Sequence, residues 1–440
     1  MNFYNKISGT ISKNIPPPLR KAIGQVFGTQ MLFQFMGLGI SVLLVRVLPK
    51  SEYAIYTVLM AVLGMLGIIS NSGIMIGFKK IGGKIWDKNQ EFSDLIKTTF
   101  SIRKYLILFS FVIVGTYTIL VFNRQEIALN DSLFFIVALF FMVVPNASVS
   151  ILAEGLLLQK NFLPVQIQTI VNQSIRMLGI FLLFLIFKDS LTIKSVLVIT
   201  VIASWTALFY LRRKEKKNLQ TTSGKALKEP KINTEYKRVL MKYIKLNWHN
   251  SIFFAFKDQI AILIIGLYGT TSGLADLGAI TRFSMIFLGV NALATNLLGP
   301  SFGRSKKFTE LVKISKITFI AFIIISIITL TAAFIFSEEL LWLLGPKYGG
   351  LNHELFMVFV LSCMMLGVHI LNILNNSKGW IKYSPKFEIL IGIAGILLGV
   401  LFFDISTPIG GLYLSILSFF LMLCLYSLNY YYGLFIDKDF

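Results

Sequence analysis

The sequence predicts an all-α polytopic membrane protein with twelve transmembrane helices. Three observations point to this fold class: 55% of the 440 residues are hydrophobic, 14% are charged, and long apolar runs recur along the whole chain. A soluble domain carries about 25% charged residues. With so little polar surface, this protein needs lipid around its outer face.

Twelve runs are long and apolar enough to cross a bilayer, which takes about 20 residues in a helix. Each should be helical, because lipid offers the backbone no hydrogen-bond partner. The first run exceeds the apolar core of a signal peptide, so we expect it to be retained as a span. The runs lie at roughly 22–48, 54–78, 105–122, 132–152, 165–187, 191–211, 246–268, 276–300, 317–336, 353–376, 387–404 and 411–435.

The basic residues predict the orientation. If the N-terminus is inside, the inner segments hold 33 of the 42 Lys and Arg, the outer loops hold 6, and three lie within spans. Cytoplasmic loops carry the excess of basic residues in membrane proteins. This bias and the even number of spans predict that both termini are cytoplasmic. The same bias explains the net charge of +21 without a nucleic-acid partner.

The longest polar segment follows the sixth span and predicts three regions. Residues 1–211 would form one six-helix bundle, 212–245 a basic cytoplasmic linker, and 246–440 a second six-helix bundle. The stretch LRRKEKKNLQTTSGKALKEPKINTEYKRVLMKYIK is rich in Lys, Thr and Ser, as linkers are. Its charge either reflects topology alone or binds acidic lipid head groups.

Two stretches carry a resemblance to a known family. In GISVLLVRVLPKSEYAIYTVLMAVLGMLGIISNSGI, a span ends in Arg46, a short turn follows with Pro49, Glu52 and Tyr53, and a second span is rich in small residues. Where the family usually has a small residue, often Gly, this chain has Ala54.

The second stretch is ADLGAITRFSMIFLGVNALATNLLGPSFGR, with Arg282 and Pro300. Together with the chain length, the twelve runs and the basic mid-chain loop, these stretches resemble bacterial polysaccharide flippases of the Wzx type, which move lipid-linked O-antigen or capsule repeat units. That family belongs to the multidrug/oligosaccharidyl-lipid/polysaccharide exporter (MOP) superfamily, which also holds multidrug exporters and lipid II flippases.

The resemblance implies a MATE-like fold, in which two six-helix bundles face each other across a central cavity that opens alternately to either side. It implies a flippase that moves polyprenyl-pyrophosphate-linked oligosaccharide across the bacterial cytoplasmic membrane, coupled to an ion gradient. The partners it implies are the lipid-linked oligosaccharide, membrane lipids and other polysaccharide-assembly membrane proteins.

Three cations within spans are candidate substrate-binding residues: Lys257 near the centre of span seven, Arg176 in span five, and Arg282 near the outer end of span eight. A charge at the helix centre costs about 2.5–3.5 kcal/mol on insertion scales, so each should face a wet cavity or a partner. Arginine binds phosphate in a bidentate manner and lysine as a point charge, which suits a pyrophosphate.

Other interpretations of these charges stay open. Lys257 could instead pair with a carboxylate and lock the bundle. Successive helical residues do not face each other, so Asp258 is expected to pair with a cation from another helix. Asp258 and Glu154 are candidate ion-coupling residues, or plain salt bridges or caps. Arg46 either snorkels to the interface or forms an outer gate or sugar contact.

Two other function classes fit less well. A membrane polymerase or ligase should have a large outer loop, but the longest outer loop, 337–352, is short and carries Glu338, Glu339 and Lys347 as its ionised side chains. An exporter of cationic drugs should have acidic or neutral cavity walls. No nucleotide-binding P-loop and no spaced His or Cys cluster is present, so we expect no enzyme activity, metal or cofactor.

Overall fold

Helices make up nearly all of the described chain. The computed structural model describes residues 17–186, 191–223 and 229–437, and within these ranges it contains helices and turns but no β-strand. We call the helices before residue 224 the first half and those after residue 228 the second half.

The first half has seven helices. They are α1 (Pro17–Val47), α2 (Lys50–Asn71), α3 (Ile74–Ile85), α4 (Asn89–Arg124), α5 (Leu129–Leu158), α6 (Leu163–Ile186) and α7 (Ile193–Ser223). The second half continues with ten. They are α8 (Thr234–Lys257), α9 (Ile260–Tyr268), α10 (Thr271–Ile280), α11 (Met285–Leu293), α12 (Gly299–Arg304), α13 (Phe308–Ile335), α14 (Ser337–Leu344), α15 (Asn352–Lys378), α16 (Ser384–Phe402) and α17 (Pro408–Tyr431).

The helices confirm a multi-pass membrane protein. Within the described ranges, nine helices are long and apolar enough to cross a membrane, and the bent pair α8 and α9 would make a tenth. Two shorter apolar helices cover Leu32–Val47 and Phe387–Phe402. Every predicted run overlaps one or more helices. The count of twelve spans, the three-region division and the cytoplasmic termini stay predictions.

Three predicted runs are interrupted. Run 54–78 breaks at Gly73, whose φ of 77° lies in the left-handed region that favours glycine. A Cβ there would lie 2.5 Å from the Tyr243 carbonyl oxygen, so glycine also lets α8 approach closely. Run 246–268 bends by 58° between α8 and α9. Run 276–300 contains a 3₁₀ turn at Thr281–Ser284 and a π turn at Ala294–Leu298.

The two halves pack directly on each other. α2 packs against α8 and α10, and α1 packs against α6 of its own half and α11 of the other. α8 also contacts α3 and α4, so the first helix of the second half packs on the first half. The interface of α2 with α10 is very close: a Cβ at Gly278 would lie 2.0 Å from the Thr57 hydroxyl oxygen.

Substituting Gly278→Ala should therefore destabilise the protein. The methyl group would overpack a rigid helix contact, at a cost of about 1–3 kcal/mol. We expect a lower thermal unfolding midpoint in detergent. Gly67→Ala on α2 is the matched control, since a Cβ there meets nothing within 4 Å. Equal midpoints for the two variants would contradict this packing.

Candidate functional site

Lys257 and Asp258 lie at the break between α8 and α9. α8 ends at Lys257, and the Asp258 amide donates to the Phe254 carbonyl to close its last turn. The Lys257 Nζ then lies 3.3 Å from Asp258 Oδ1. The expectation that Asp258 pairs with a cation from another helix is therefore wrong. It assumed an uninterrupted helix, whereas the helix ends here and the long lysine side chain reaches its neighbour.

The two members of this pair differ in exposure. The side chain of Lys257 is 2% exposed and that of Asp258 is 38% exposed. The Lys257 Nζ also lies 3.7 Å from the centroid of the Phe419 ring on α17, a cation–π contact. The ammonium group is thus held inside the second half, while the carboxylate is partly exposed. Contact of Lys257 with a substrate phosphate stays a prediction.

Glu388 on α16 is a further acid in this cluster, and the sequence analysis did not select it. Tyr426 of α17 donates its hydroxyl hydrogen to Glu388 Oε1. Glu388 also interacts favourably with the Lys257 ammonium through Coulomb attraction. Glu388 could have been selected from the sequence, because it is a carboxylate at the second position of the apolar run 387–404. Lys257 therefore has one carboxylate in contact, Asp258, and is influenced by a second, Glu388, beyond ion-pair distance.

Arg282 lies in the 3₁₀ turn Thr281–Ser284 and points across the interface between the halves. Its Nε donates to the Tyr53 hydroxyl at 3.0 Å, and its guanidinium lies 5.5 Å from the centroid of the Tyr56 ring. Both tyrosines belong to α2, and Tyr53 is fully buried. Arg282 itself is half-buried.

Arg176 is half-buried on α6 and donates to Gln173 Oε1 at 3.2 Å, one turn earlier. Its Nε is buried with no hydrogen-bond partner among the described residues. Gln173 lies close to α1, since a Cβ at Gly37 would be 3.3 Å from its amide nitrogen. The turn that carries Arg282 also packs on α1. The two arginines are therefore placed on helices that share α1 as a neighbour.

Arg46 forms part of a polar contact between the halves, here called the clasp: Arg46, Lys50 and Tyr53 with their partners on α10, α14 and the turn Pro346–Tyr348. Arg46 Nε and Nη2 donate to the carbonyls of Leu343 and Trp342 at 2.7 and 2.5 Å. The guanidinium also lies 4.9 Å from the Trp342 ring centroid. Both side chains at this contact are largely exposed.

Lys50 adds an ion pair to the clasp. Its Nζ lies 2.8 Å from Asp276 Oδ1 on α10 and 5.1 Å from the Tyr348 ring centroid. Burial raises the pKa of the Tyr348 hydroxyl, so this ring stays neutral beside the ammonium. Lys347 Nζ donates back to the carbonyls of Arg46 and Leu48 at 3.3 and 3.2 Å. The clasp joins the halves at the side predicted to be outside.

Glu154 lies elsewhere, on α5, and forms a salt bridge with Lys79 of α3 at 3.2 Å. Both partners belong to the first half. A plain salt bridge was one of the two interpretations left open, and the coupling role of Glu154 stays a prediction.

Arg103 is a buried cation that the sequence analysis missed. It is 2% exposed on α4, and its Nη2 donates to the Ser150 hydroxyl at 3.0 Å. Its Nε and Nη1 have no hydrogen-bond partner among the described residues. Because Arg103 precedes the apolar run 105–122, it was expected to be an inner-loop charge. In the structure α4 begins at Asn89, so Arg103 lies in the middle of a packed helix.

No protein-family model matches this sequence, and neither does any curated protein. Solved transporter structures do match the fold. A multidrug resistance MATE family transporter of the MOP superfamily, in an inward-facing conformation, matches with a TM-score of 0.60 and 12% identity over 90% of this chain and 94% of that one. The lipid II flippase MurJ, in an inward closed conformation, matches with a TM-score of 0.61 and 12% identity over 94% of this chain and 90% of that one.

A eukaryotic MATE transporter also matches, with a TM-score of 0.55 and 15% identity over 92% of both chains. At these identities the likeness shows the fold alone. This chain has the fold that MATE transporters and MurJ share. The predicted MATE-like fold class is therefore confirmed, while the Wzx-type relationship is not shown.

Removing Asp258, the partner of the buried Lys257 ammonium, should lower the free energy of unfolding, whereas removing both charges should lower it less. We expect Asp258→Asn to lower stability by about 2 kcal/mol, a moderate value because Asp258 is 38% exposed and Glu388 remains nearby. The double variant Lys257→Met/Asp258→Asn should regain most of this loss in thermal unfolding. A double variant less stable than Asp258→Asn alone would show that the pair is not the relevant contact.

Reversing one charge of the clasp should open it. In a background with Cys363→Ser and Cys424→Ser, Ala275→Cys reports access, since Ala275 is fully buried on α10. Lys50→Glu should increase its labelling by a membrane-impermeant maleimide severalfold, and Lys50→Glu/Asp276→Lys should restore protection. Lys194→Glu is the control, because its 2.6 Å ion pair with Asp131 lies within the first half. Unchanged labelling in Lys50→Glu would mean that this ion pair does not hold the clasp.

Proposed function

We propose that this protein flips polyprenyl-pyrophosphate-linked oligosaccharide across the bacterial cytoplasmic membrane by alternating access, driven by an ion gradient. It belongs by this proposal to the flippases of the MOP superfamily, and it acts by transport rather than catalysis. The fold shared with MATE transporters and with MurJ supports a transporter. MurJ is itself described as a lipid II flippase, so this fold can move a lipid-linked substrate.

One observation carries the choice of substrate. Arg176 and Arg282 lie within the apolar helices Leu163–Ile186 and Thr271–Leu293. Neither forms an ion pair with a carboxylate anywhere in the described ranges. A charge without a counter-ion is costly within a span, and an anionic ligand offsets the cost. The pyrophosphate that joins lipid and sugar supplies such an anion, and arginine binds it with paired hydrogen bonds.

The clasp supplies the outer gate of this cycle. Arg46 and Lys50 reach from the first half to carbonyls and a carboxylate of the second. These contacts are polar and partly exposed, so they can exchange with water at modest cost when the halves separate. Arg46, once released from Trp342 and Leu343, is free to meet the sugar or phosphate groups that leave on this side.

Coupling follows from the Lys257–Asp258 pair. While Asp258 is ionised, its carboxylate forms an ion pair with the Lys257 ammonium at 3.3 Å. A proton or Na⁺ on Asp258 removes that attraction, and Lys257 is then available to a phosphate. In this scheme substrate binding and ion binding depend on each other, as gradient-driven transport requires. Glu154 is the second coupling candidate and is tested in parallel.

The substrate is tested in cells that lack this protein. Their lipid extract, analysed by mass, should accumulate one complete repeat unit on polyprenyl pyrophosphate, and wild type should clear it. Two variants, Arg282→Gln and Arg176→Gln, remove the charge but keep an N–H donor. In Arg282→Gln, the Tyr53 hydroxyl therefore keeps a hydrogen-bond donor. We expect each to reduce transport about tenfold or more, which corresponds to one lost charged hydrogen bond.

The matched control is Lys313→Gln on α13, an exposed basic residue that should leave transport unchanged. Immunoblots of each variant separate loss of transport from loss of protein. If no lipid-linked intermediate accumulates and surface polysaccharide remains intact, the flippase proposal fails. That result would favour a cation-coupled exporter of small molecules on the same fold, for which Asp258 and Glu388 would be the acidic groups.

The coupling residue is tested by substitution and by gradient. Asp258→Asn should transport at a rate that no longer responds to the H⁺ or Na⁺ gradient, because the ion pair is absent in every state. Glu154→Gln should keep the response, since its partner Lys79 lies in the first half alone. Gradient-dependent transport by Asp258→Asn would exclude Asp258, and loss of the response in Glu154→Gln would assign coupling to Glu154.

A further inference from the structure

A basic pocket of about 650 Å³ is formed mainly by helices of the first half. It opens between α4, α7 and the start of the segment that follows residue 228. The charged residues of its wall are Lys97, Arg212, Arg213, Lys216, Glu215 and Glu229. Four cations therefore face two carboxylates, which leaves an excess of positive charge.

The pocket spans the boundary between apolar and basic surface. α7 changes from an apolar to a basic sequence between Leu211 and Arg212. Phe209, one turn earlier, lines the pocket and is 61% exposed, as expected of a residue facing lipid. The Arg213 guanidinium lies 4.5 Å from the centroid of this ring. Phe100 and Leu152 continue the apolar wall. A ligand here would contact hydrocarbon on one side and cations on the other.

Glu229 forms an ion pair with one of the cations, Lys97. Its Oε1 lies 3.7 Å from Lys97 Nζ, yet its side chain is 91% exposed. The same segment is fixed along α4, because the Lys231 amide donates to Asp94 Oδ1 at 2.7 Å and the Asn233 amide to the Thr98 hydroxyl at 2.9 Å. A carboxylate is therefore held at the pocket mouth, where a stronger anion can displace it.

Two of the other cations, Arg212 and Lys216, attract the Glu215 carboxylate without an ion-pair contact. Arg212, Arg213 and Lys216 form no ion pair within 4.0 Å across the described ranges. We propose that this pocket binds the phosphate head group of an anionic phospholipid from the leaflet at the basic end of α7, with an acyl chain against Phe209 and Phe100. Clustered Lys and Arg beside a span attract such lipids. Glu229 competes with the head group for Lys97.

The test is lipid binding to the full-length protein in detergent, measured by native mass spectrometry with phosphatidylglycerol. Arg212→Gln/Lys216→Gln should raise the dissociation constant about tenfold or more, because two phosphate-facing cations are lost. Lys214→Gln/Lys217→Gln is matched in charge on the same helix but lies outside the pocket wall, and it should change the constant by less than about threefold. Glu229→Gln should tighten binding, since Lys97 is released.

Four outcomes would overturn the proposal. Equal losses in the two double variants would show attraction to surface charge rather than a site. Full competition by millimolar inorganic phosphate would assign the pocket to a soluble phosphate. Weaker binding in Glu229→Gln would contradict the competition for Lys97. Phosphatidylcholine, which has no net charge, should bind weakly to all variants, and equal affinity for it would remove the role of the cations.

Discussion

The ion pair between Lys257 and Asp258 is the interaction on which the rest of this account depends. A lysine that is 2% exposed within an apolar bundle is stable only while a carboxylate and an aromatic ring compensate for lost water. The break between α8 and α9 makes this compensation possible, because it frees Asp258 from the direction an uninterrupted helix would impose. The same break bends the chain by 58°. The break therefore sets both the position of the ion pair and the angle between α8 and α9.

The other polar groups lie in regions separate from this pair. The clasp joins the halves at one end through Arg46, Lys50 and Tyr53, whereas the Lys257 cluster lies within the second half. The basic pocket is formed mainly by helices of the first half. Each region uses cations, but their surroundings differ: carbonyls and a carboxylate at the clasp, Asp258 and an aromatic ring at Lys257, and an apolar wall with two carboxylates at the pocket. Because the three regions are separate, each can be substituted without changing the contacts of the others.

Sequence reasoning located the helices well because hydropathy over about 20 residues needs no tertiary information. It failed where tertiary contacts decide. Gly73 breaks a predicted run because α8 approaches its backbone, and Asp258 faces Lys257 because the helix ends between them. Arg103 was assigned to a loop since α4 extends well before its apolar run. Glu388 could have been found, because an acid at the start of an apolar run was visible in the sequence.

The central claim is that Asp258 competes with a phosphate for Lys257. Binding of undecaprenyl pyrophosphate to the purified protein tests it most directly, measured by native mass spectrometry at two pH values. We expect Asp258→Asn to bind more tightly than wild type and with a weaker pH dependence, while Lys257→Gln binds weakly at both. Wild type should bind more tightly at low pH, where Asp258 is protonated. Binding that is identical in wild type and Asp258→Asn would contradict the claim.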